Sequence, residues 1–447
     1  MKKIFKYAMM FAAACALSLG VTACGDDDDD NPDNKKTAEQ QKLESMKAIT
    51  QKYLDDVVYP TYTNLANQSQ VLYDLINGLK TQLKAGTKVK QSDIDAICTA
   101  YKKARAYWEE SEAFLYGAAS DFDIDPHIDT WPLELDVLAE DLKDNAKIAN
   151  LDGANGIEWA RTEGNLTPEN LGFHGIEFIF FRNGKNRDVA IFNNDAVEDD
   201  SNFAGLDVSG KEEVIFAAAV AGDLRDKCFQ LEVSWLGNKA QADHIARINA
   251  CKQQNVEEFK TTVEKNGLSY GEDMLAAGQS NSTMKSWRTV METILVSGCS
   301  NICGEVADQK MGQAYRATTS GGTSTHIGED GKPEEDDANY IESPYSYNSF
   351  TDFKGNILSI QYSLYGAAGA TSAQKNSIMD YLKTYAPEKA NTLDNKLKEA
   401  IAALDACLNS GKAFVQAPGA VVVKEAMDAI GDLDDCINET ANWILMN

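Results

Sequence analysis

Histidine is scarce in this chain, with four in 447 residues, at positions 127, 174, 244 and 326. Around His174 no second histidine completes H-E-x-x-H or H-x-x-E-H, so the zinc-protease helix signatures are not spelled. No Cys-x-x-Cys occurs among the nine cysteines, which removes local support for a redox motif or a thiolate zinc site. Positive charge is also short: 42 Lys and Arg face 69 Asp and Glu, a formal net charge of −27. Such a surface repels phosphate backbones and has no basic footprint to release counterions, so nucleic acid is not an expected partner. Long apolar runs are missing after residue 23, which excludes a polytopic membrane protein. Strand-like alternation is nearly absent as well.

The one long apolar run lies at residues 4–23. Lys2, Lys3 and Lys6 precede an apolar stretch at 8–19, the layout of a secretory signal. The end of that stretch, Leu19-Gly20-Val21-Thr22-Ala23-Cys24, resembles the lipobox of bacterial lipoproteins, with Val21 where leucine is usual. Residues 1–23 are then a signal peptide, and Cys24 is the lipidated first mature residue. Removing them takes away lysines and no acids, so the mature chain is more acidic still. Gly25 and five aspartates, Asp26 to Asp30, open a polar stretch at 24–37. Like charges at that density do not pack, so this is a disordered tether between lipid and fold. Acids so close to a lipidated cysteine also resemble the signal that sends some lipoproteins to the outer face of the outer membrane. The expected location is the cell envelope, at the outer membrane, surface-exposed and held through the lipid. Seven cysteines remain downstream, and an odd number cannot all pair in an oxidising compartment.

Beyond the tether, apolar residues recur at three and four. Leu43, Met46, Ile49, Tyr53, Leu54, Val57 and Val58 run up to Pro60, and Leu65, Leu72, Leu75, Ile76, Leu79 and Leu83 continue to Gly86. Two helices divided at the proline are the simplest account. A third, capped by Ser92 or Asp93, carries Ile94, Ile97, Ala100, Ala104, Tyr107, Trp108, Phe114 and Leu115 and ends near Gly117. Later helices are expected at 212–236, 240–264, 283–307, 350–365, 372–385, 388–409 and 421–445. The length suits two or three domains of roughly 100–200 residues, and the irregular stretch at 190–210 is the best boundary. The expected fold is all-α, with two helical-bundle domains at 38–204 and 205–447. Gly and Pro gather at 121–132, 150–170, 183–210 and 318–344, where loops carrying function would lie.

One constellation has metal-ligand character. His174 and Glu177 stand three apart in a strongly apolar segment and share a helix face. Imidazole and carboxylate could bind one cation there, and a polar pair on such a helix either faces solvent or converges on a partly buried site. Gly172-Phe173-His174-Gly175-Ile176-Glu177 resembles the G-x-H-x-x-E motif of the imelysin family, peptidase-like lipoproteins and periplasmic proteins associated with iron uptake. Trp108…Glu112-Ala113-Phe114…Gly117 and Ile128-Asp129-Thr130-Trp131-Pro132-Leu133 are similar to two further imelysin segments, as are 307–312 and 342–352.

The resemblance implies two helical bundles with the motif segments near their contact, and a metal or ligand site at H-x-x-E. On this chain the implied metal ligands are His174, Glu177 and Glu112, the last expected on the Trp108 helix. Gly172, Asp129, Glu342, Ser346 and Asp352 are pocket residues, and Arg105 and Trp131 belong to the pocket wall or core. His127, His244 and His326 have no ligand spacing and are expected at the surface or in loops. Carboxylates suit hard cations, and imidazole with carboxylates suits a divalent Fe or Zn ion. Binding should weaken as pH falls through the imidazole titration, near 6.5 when unperturbed. The function this suggests is an envelope lipoprotein binding a metal ion or an iron-containing ligand in iron acquisition, with a transport partner the sequence does not name. A metallopeptidase, and an adhesion or scaffolding module with a vestigial site, are the alternatives.

Overall fold

A computed structural model describes residues 36–196, 210–328 and 331–447. The expected signal peptide, Cys24, almost all of the expected tether and the expected boundary at 204/205 lie outside the described residues. The fold is all-α, about 69% helical. Its sheets among the described residues are two short antiparallel hairpins, β1 (Phe181–Arg182) with β2 (Lys185–Asn186) and β3 (Thr325–Ile327) with β4 (Pro333–Glu335). No described helix is long and apolar enough to cross a membrane.

Helix α1 (Ala38–Tyr53) starts at a capping box in which Thr37 and Gln40 satisfy each other's backbone N–H groups. The break expected at Pro60 does not occur. The chain passes through a π-helical stretch, Leu54–Val58, directly into α2 (Tyr59–Lys84), with Pro60 in its first turn. Proline has no N–H for the carbonyl four residues back. Here that carbonyl, of Asp56, accepts the Ala368 N–H at 2.7 Å instead, so the lost bond is replaced from outside and the rod continues.

Helix α3 (Gln91–Glu109) ends earlier than its apolar pattern suggests. The Ser111 hydroxyl donates to the Trp108 carbonyl at 2.6 Å, and the chain turns into a 3-10 turn, Glu112–Phe114. Glu112 is therefore not on the Trp108 helix but three residues beyond its end. The motif helix α4 (Gly172–Phe180) is wholly buried. It packs, as α2 does, on α5 (Gly210–Leu236), which is buried around nearly its whole circumference, the mark of a central helix.

Buried acids on α5 need partners, and these overturn one expectation. His244 is not at the surface. It is buried on the helix Ala242–Gln254, with Nδ1 2.5 Å from Glu232 Oε2 and its ring stacked on Phe229. His127 is half-buried against Asp223, and His326 is half-buried against Asp336. The helix expected at 240–264 stops at Gln254, where Asn255 and Glu258 bond each other in a turn.

A second helical rod begins with α6 (Trp287–Glu292) and includes two π-helical stretches, Thr293–Ser300 and Glu305–Lys310. Helices α7 (Ser349–Tyr365), α8 (Pro387–Leu408) and α9 (Val421–Met446) complete the frame, α8 lying along α7 and α9, and α9 along the rod. The seven described cysteines are unpaired.

A buried acidic cluster as the candidate functional site

Five stretches of chain meet inside the protein. Helix α3 supplies Arg105, Trp108 and Glu109, with Glu112 in the turn after it. Asp129 follows a short helix, Asp125–Ile128. Helix α4 supplies His174 and Glu177. The end of the second π-helical stretch supplies Lys310, and the segment 342–356 supplies Glu342, Ser346, Asp352 and Asn356. None of these side chains belongs to a residue more than 4% exposed. Two glycines permit the approach. Gly172 has φ +61° and lies so close to the Ile128 backbone that a Cβ would collide with it, which brings the start of α4 against the residue before Asp129. At Gly355 a Cβ would stand 2.6 Å from Glu109 Cβ, so α7 can lie directly on α3.

Arg105 is the hub. Its Nε is 2.6 Å from Glu109, its Nη2 2.5 Å from Glu342, its Nη1 bonds Asp129, and Asp352 lies 3.6 Å away. Asp129 also accepts the Trp108 indole N–H at 2.6 Å and meets His174 Nε2 at 2.9 Å. His174 Nδ1 is 3.8 Å from Glu177 Oε2. Glu177 Oε1 accepts both the backbone N–H and the hydroxyl of Ser346, at 2.8 and 2.6 Å. Lys310 Nζ lies 3.0 Å from both Glu112 oxygens and 3.3 Å from Glu342. Trp131 closes one side, its ring 5.2 Å from the Lys310 ammonium and 5.8 Å from the His174 ring.

Six carboxylates, of Glu109, Glu112, Asp129, Glu177, Glu342 and Asp352, thus share two permanent cations and one imidazole. Burial pushes the Glu109 and Glu112 carboxyls well above the ordinary range, against the pull of Arg105 on the first and Lys310 on the second. Burial raises Asp352 to about 7 despite Arg105. Asp129 goes the other way: burial would raise it, but Arg105 and the His174 hydrogen bond hold it well below the carboxylate range. Burial would lower His174, but the bond to Asp129 and the nearby Glu177 carboxylate outweigh it and push the imidazole up to about 9. At neutral pH His174 is therefore an imidazolium, and the titration expected near 6.5 is displaced upward.

The sequence-derived residues are largely co-located. Arg105, Glu112, Asp129, His174, Glu177, Glu342, Ser346 and Asp352 sit in the cluster, Gly172 shapes it and Trp131 walls it. Ligand atoms do not follow the expected grouping of His174 with Glu177 and Glu112. Among the described residues, two trios each bring three ligand atoms within 4.8 Å of one another: Asp129, His174 and Glu342, and Glu109, Glu112 and Asp129. The first offers nitrogen and oxygen, the second oxygen alone. Glu109 and Lys310 were missed by sequence reasoning. Glu109 is four residues from Arg105 on one helix, a spacing that marks ion pairs. Lys310 lies inside an imelysin-like segment, but its sign hides it from a search for metal ligands. Nothing local points to Asn356, which donates to Glu109 Oε2 at 2.6 Å.

The sequence profile of the family described as Imelysin, peptidase M75, matches residues 58–436. The chain belongs to the imelysin family. Iron-regulated protein A of Synechococcus elongatus is 32% identical over 84 residues, which are 19% of this chain and 22% of that protein. The chain thus matches about a fifth of the length of this curated relative. Two crystal structures share the imelysin fold. One, from Parabacteroides distasonis ATCC 8503 and provisionally assigned as an iron-regulated protein A precursor, has a TM-score of 0.68 at 23% identity, covering 92% of this chain and 96% of that one. The other, an imelysin-like protein from Psychrobacter arcticum 273-4, has a TM-score of 0.53 at 14% identity over 90% and 96%.

Proposed function

We propose that this imelysin is a cell-envelope lipoprotein, anchored through Cys24 at the outer membrane and exposed at the surface, that binds a metal ion or an iron-containing ligand at the buried cluster in iron acquisition. The observation that carries the binding is the meeting of Asp129, His174 and Glu342, one ligand atom each within 4.8 Å. Glu342 Oε2 and Glu177 Oε2 are buried there with no hydrogen-bond partner, and buried carboxylate oxygens seek a proton or a cation. One nitrogen and two oxygens suit a divalent Fe or Zn ion. The name of the relatives, iron-regulated protein A, supports the same role.

Peptidase chemistry fits less well. A catalytic zinc keeps a position open for water and substrate, whereas the cluster residues are at most 4% exposed and both His174 nitrogens face carboxylates. A purely structural clasp has one observation in its favour, that Arg105 and Lys310 already neutralise part of the acid.

Metal binding by the purified protein, measured with Fe(II) under anaerobic conditions and with Zn(II), tests the reading. His174→Ala and Glu342→Gln should each weaken binding by at least about tenfold, with a smaller effect on the melting temperature in chelator. A clasp predicts the reverse. Affinity should also fall as pH drops from 9 to 6, because the metal must displace the imidazolium proton. For the anchor, Cys24→Ala should release the protein from the membrane fraction, and protease added to intact cells should remove the wild type. Protection from that protease would sink surface exposure alone.

A further inference from the structure

The cluster residues are at most 4% exposed, so a ligand reaches them only if part of the chain moves. The segment 343–348 is built to do so. Its ends are joined by the Asn348 N–H, which donates to the Ser343 carbonyl at 3.3 Å, and one side chain holds both. Asp352, in the first turn of α7, accepts the Ser343 hydroxyl at Oδ2, 2.5 Å away, and the Asn348 amide at Oδ1. The tip is fastened separately. Ser346 gives its N–H and its hydroxyl to Glu177 Oε1 from the inner side, and the Tyr345 carbonyl accepts the N–H of Gly184, in the turn between β1 and β2, at 2.9 Å. We propose that the segment 343–348 is a flap, clamped at its base by Asp352 and latched at its tip by Glu177, that opens to admit the cation and closes over it. This inference rests on the reading that the cluster takes a cation and adds how access to it is controlled.

Three observations carry it. The residues at its two bends, Ser343 at φ +51° and Tyr347 at φ +58°, are non-glycine residues in the left-handed region, a conformation that persists only while surrounding contacts enforce it. Opening releases both. The segment also has one face on the cluster and one toward water: Ser343 and Ser346 are buried, whereas Pro344, Tyr345, Tyr347 and Asn348 are half-buried. Finally, the base is fixed apart from the tip. Glu342, the residue before the flap, is held by Arg105 on its carboxylate and by the Ser349 hydroxyl on its carbonyl, each at 2.5 Å, so the flap can swing without carrying that ligand away.

Hydrogen exchange of the metal-free protein tests the opening. The Ser346 amide should exchange at least about a hundredfold faster than that of Ile176 in α4, because the flap opens without the helix. Gly184→Ala places a Cβ 2.4 Å from the Tyr347 ring and so pushes on the closed flap without touching the cluster. It should speed exchange at Ser346 by at least about tenfold, whereas Gly164→Ala, at φ +87° in open space, should not. Zn(II) binding, followed by stopped-flow tryptophan fluorescence, tests the access. The observed rate should level off as Zn(II) rises, at the rate of flap opening. Ser346→Ala loses one of the latch's two donors and should raise that plateau at least about tenfold. Gly184→Ala should raise it too, with Kd within about twofold of wild type, because entry and exit pass the same flap. Ser346→Ala, the milder change, decides the matter if Gly184→Ala fails to fold. A Ser346 amide as slow as that of Ile176 overturns the proposal. If metal binds at a rate linear in Zn(II) and equal in wild type and variants, the function stands and this inference falls. If neither Fe(II) nor Zn(II) binds, the functional reading falls, and exchange at Ser346 still decides whether the flap opens.

Discussion

Replacing Arg105 with methionine keeps the unbranched apolar stem of the side chain and removes the charge on which the cluster is organised. Glu109, Asp129, Glu342 and Asp352 would lose their common partner in an interior where Arg105 is 0% exposed. Breaking a buried ion pair from one side costs about 3–5 kcal/mol. Unfolding entropy of about 2.1 cal/mol/K per residue over roughly 400 residues gives about 0.8 kcal/mol/K, so a cooperative transition should move down by about 4–6 °C. The loss should also depend on pH in a defined direction. Unpaired buried carboxyls hold protons in the folded state that the unfolded chain releases, so the native state binds more protons and the deficit grows as pH rises. Calorimetry of wild type and variant at pH 5.5 and 8, at fixed ionic strength, should find the gap wider at pH 8. A shift under about 1 °C, or a gap equal at both pH values, would falsify the assignment of Arg105 as the hub.

His174 titrates at about 9 when folded, above its ordinary 6.5, so its contribution is full below pH 6.5 and is lost as pH rises through 9. Wild-type stability should therefore decline by up to about 3 kcal/mol between pH 6.5 and 9.5, and His174→Gln should flatten that slope. Asp352, raised to about 7, adds to the decline from pH 4 to 7, whereas the lowered Asp129 makes stability fall only below about pH 4, as it is protonated; urea titrations across pH would expose a different sign. Gly172→Ala adds a Cβ at φ +61° against the Ile128 backbone and should cost about 2–5 kcal/mol. Gly164→Ala, at φ +87° in open space, should cost about 1 kcal/mol, and equal melting temperatures for the two would refute the close-approach argument. Ser346→Ala removes one of two donors to a buried Glu177 oxygen and should lose about 1–3 kcal/mol in chemical denaturation, against no change if solvent replaces the hydroxyl.

Sequence by itself determined where most of the long helices lie and which faces they bury, because a 3.6-residue apolar period is a short-range property of the chain. The stretches at 350–365, 388–409 and 421–445 match α7, α8 and α9 within about two residues. Spacing likewise put His174 and Glu177 on one face of α4, and the imelysin-like segments contain Asp129, Glu342, Ser346 and Asp352, all now neighbours. Tertiary structure decided everything that depends on which distant group answers a buried charge. Pro60 continues a helix because Ala368 supplies the missing hydrogen bond. His244 leaves the surface because Glu232 on the central helix needs a partner. His174 meets Asp129, 45 residues earlier, and Glu112 meets Lys310, 198 residues later. Carboxylates are interchangeable to a local pattern, but inside a protein each must be matched by charge and geometry at close range. That matching is fixed only when the helices pack.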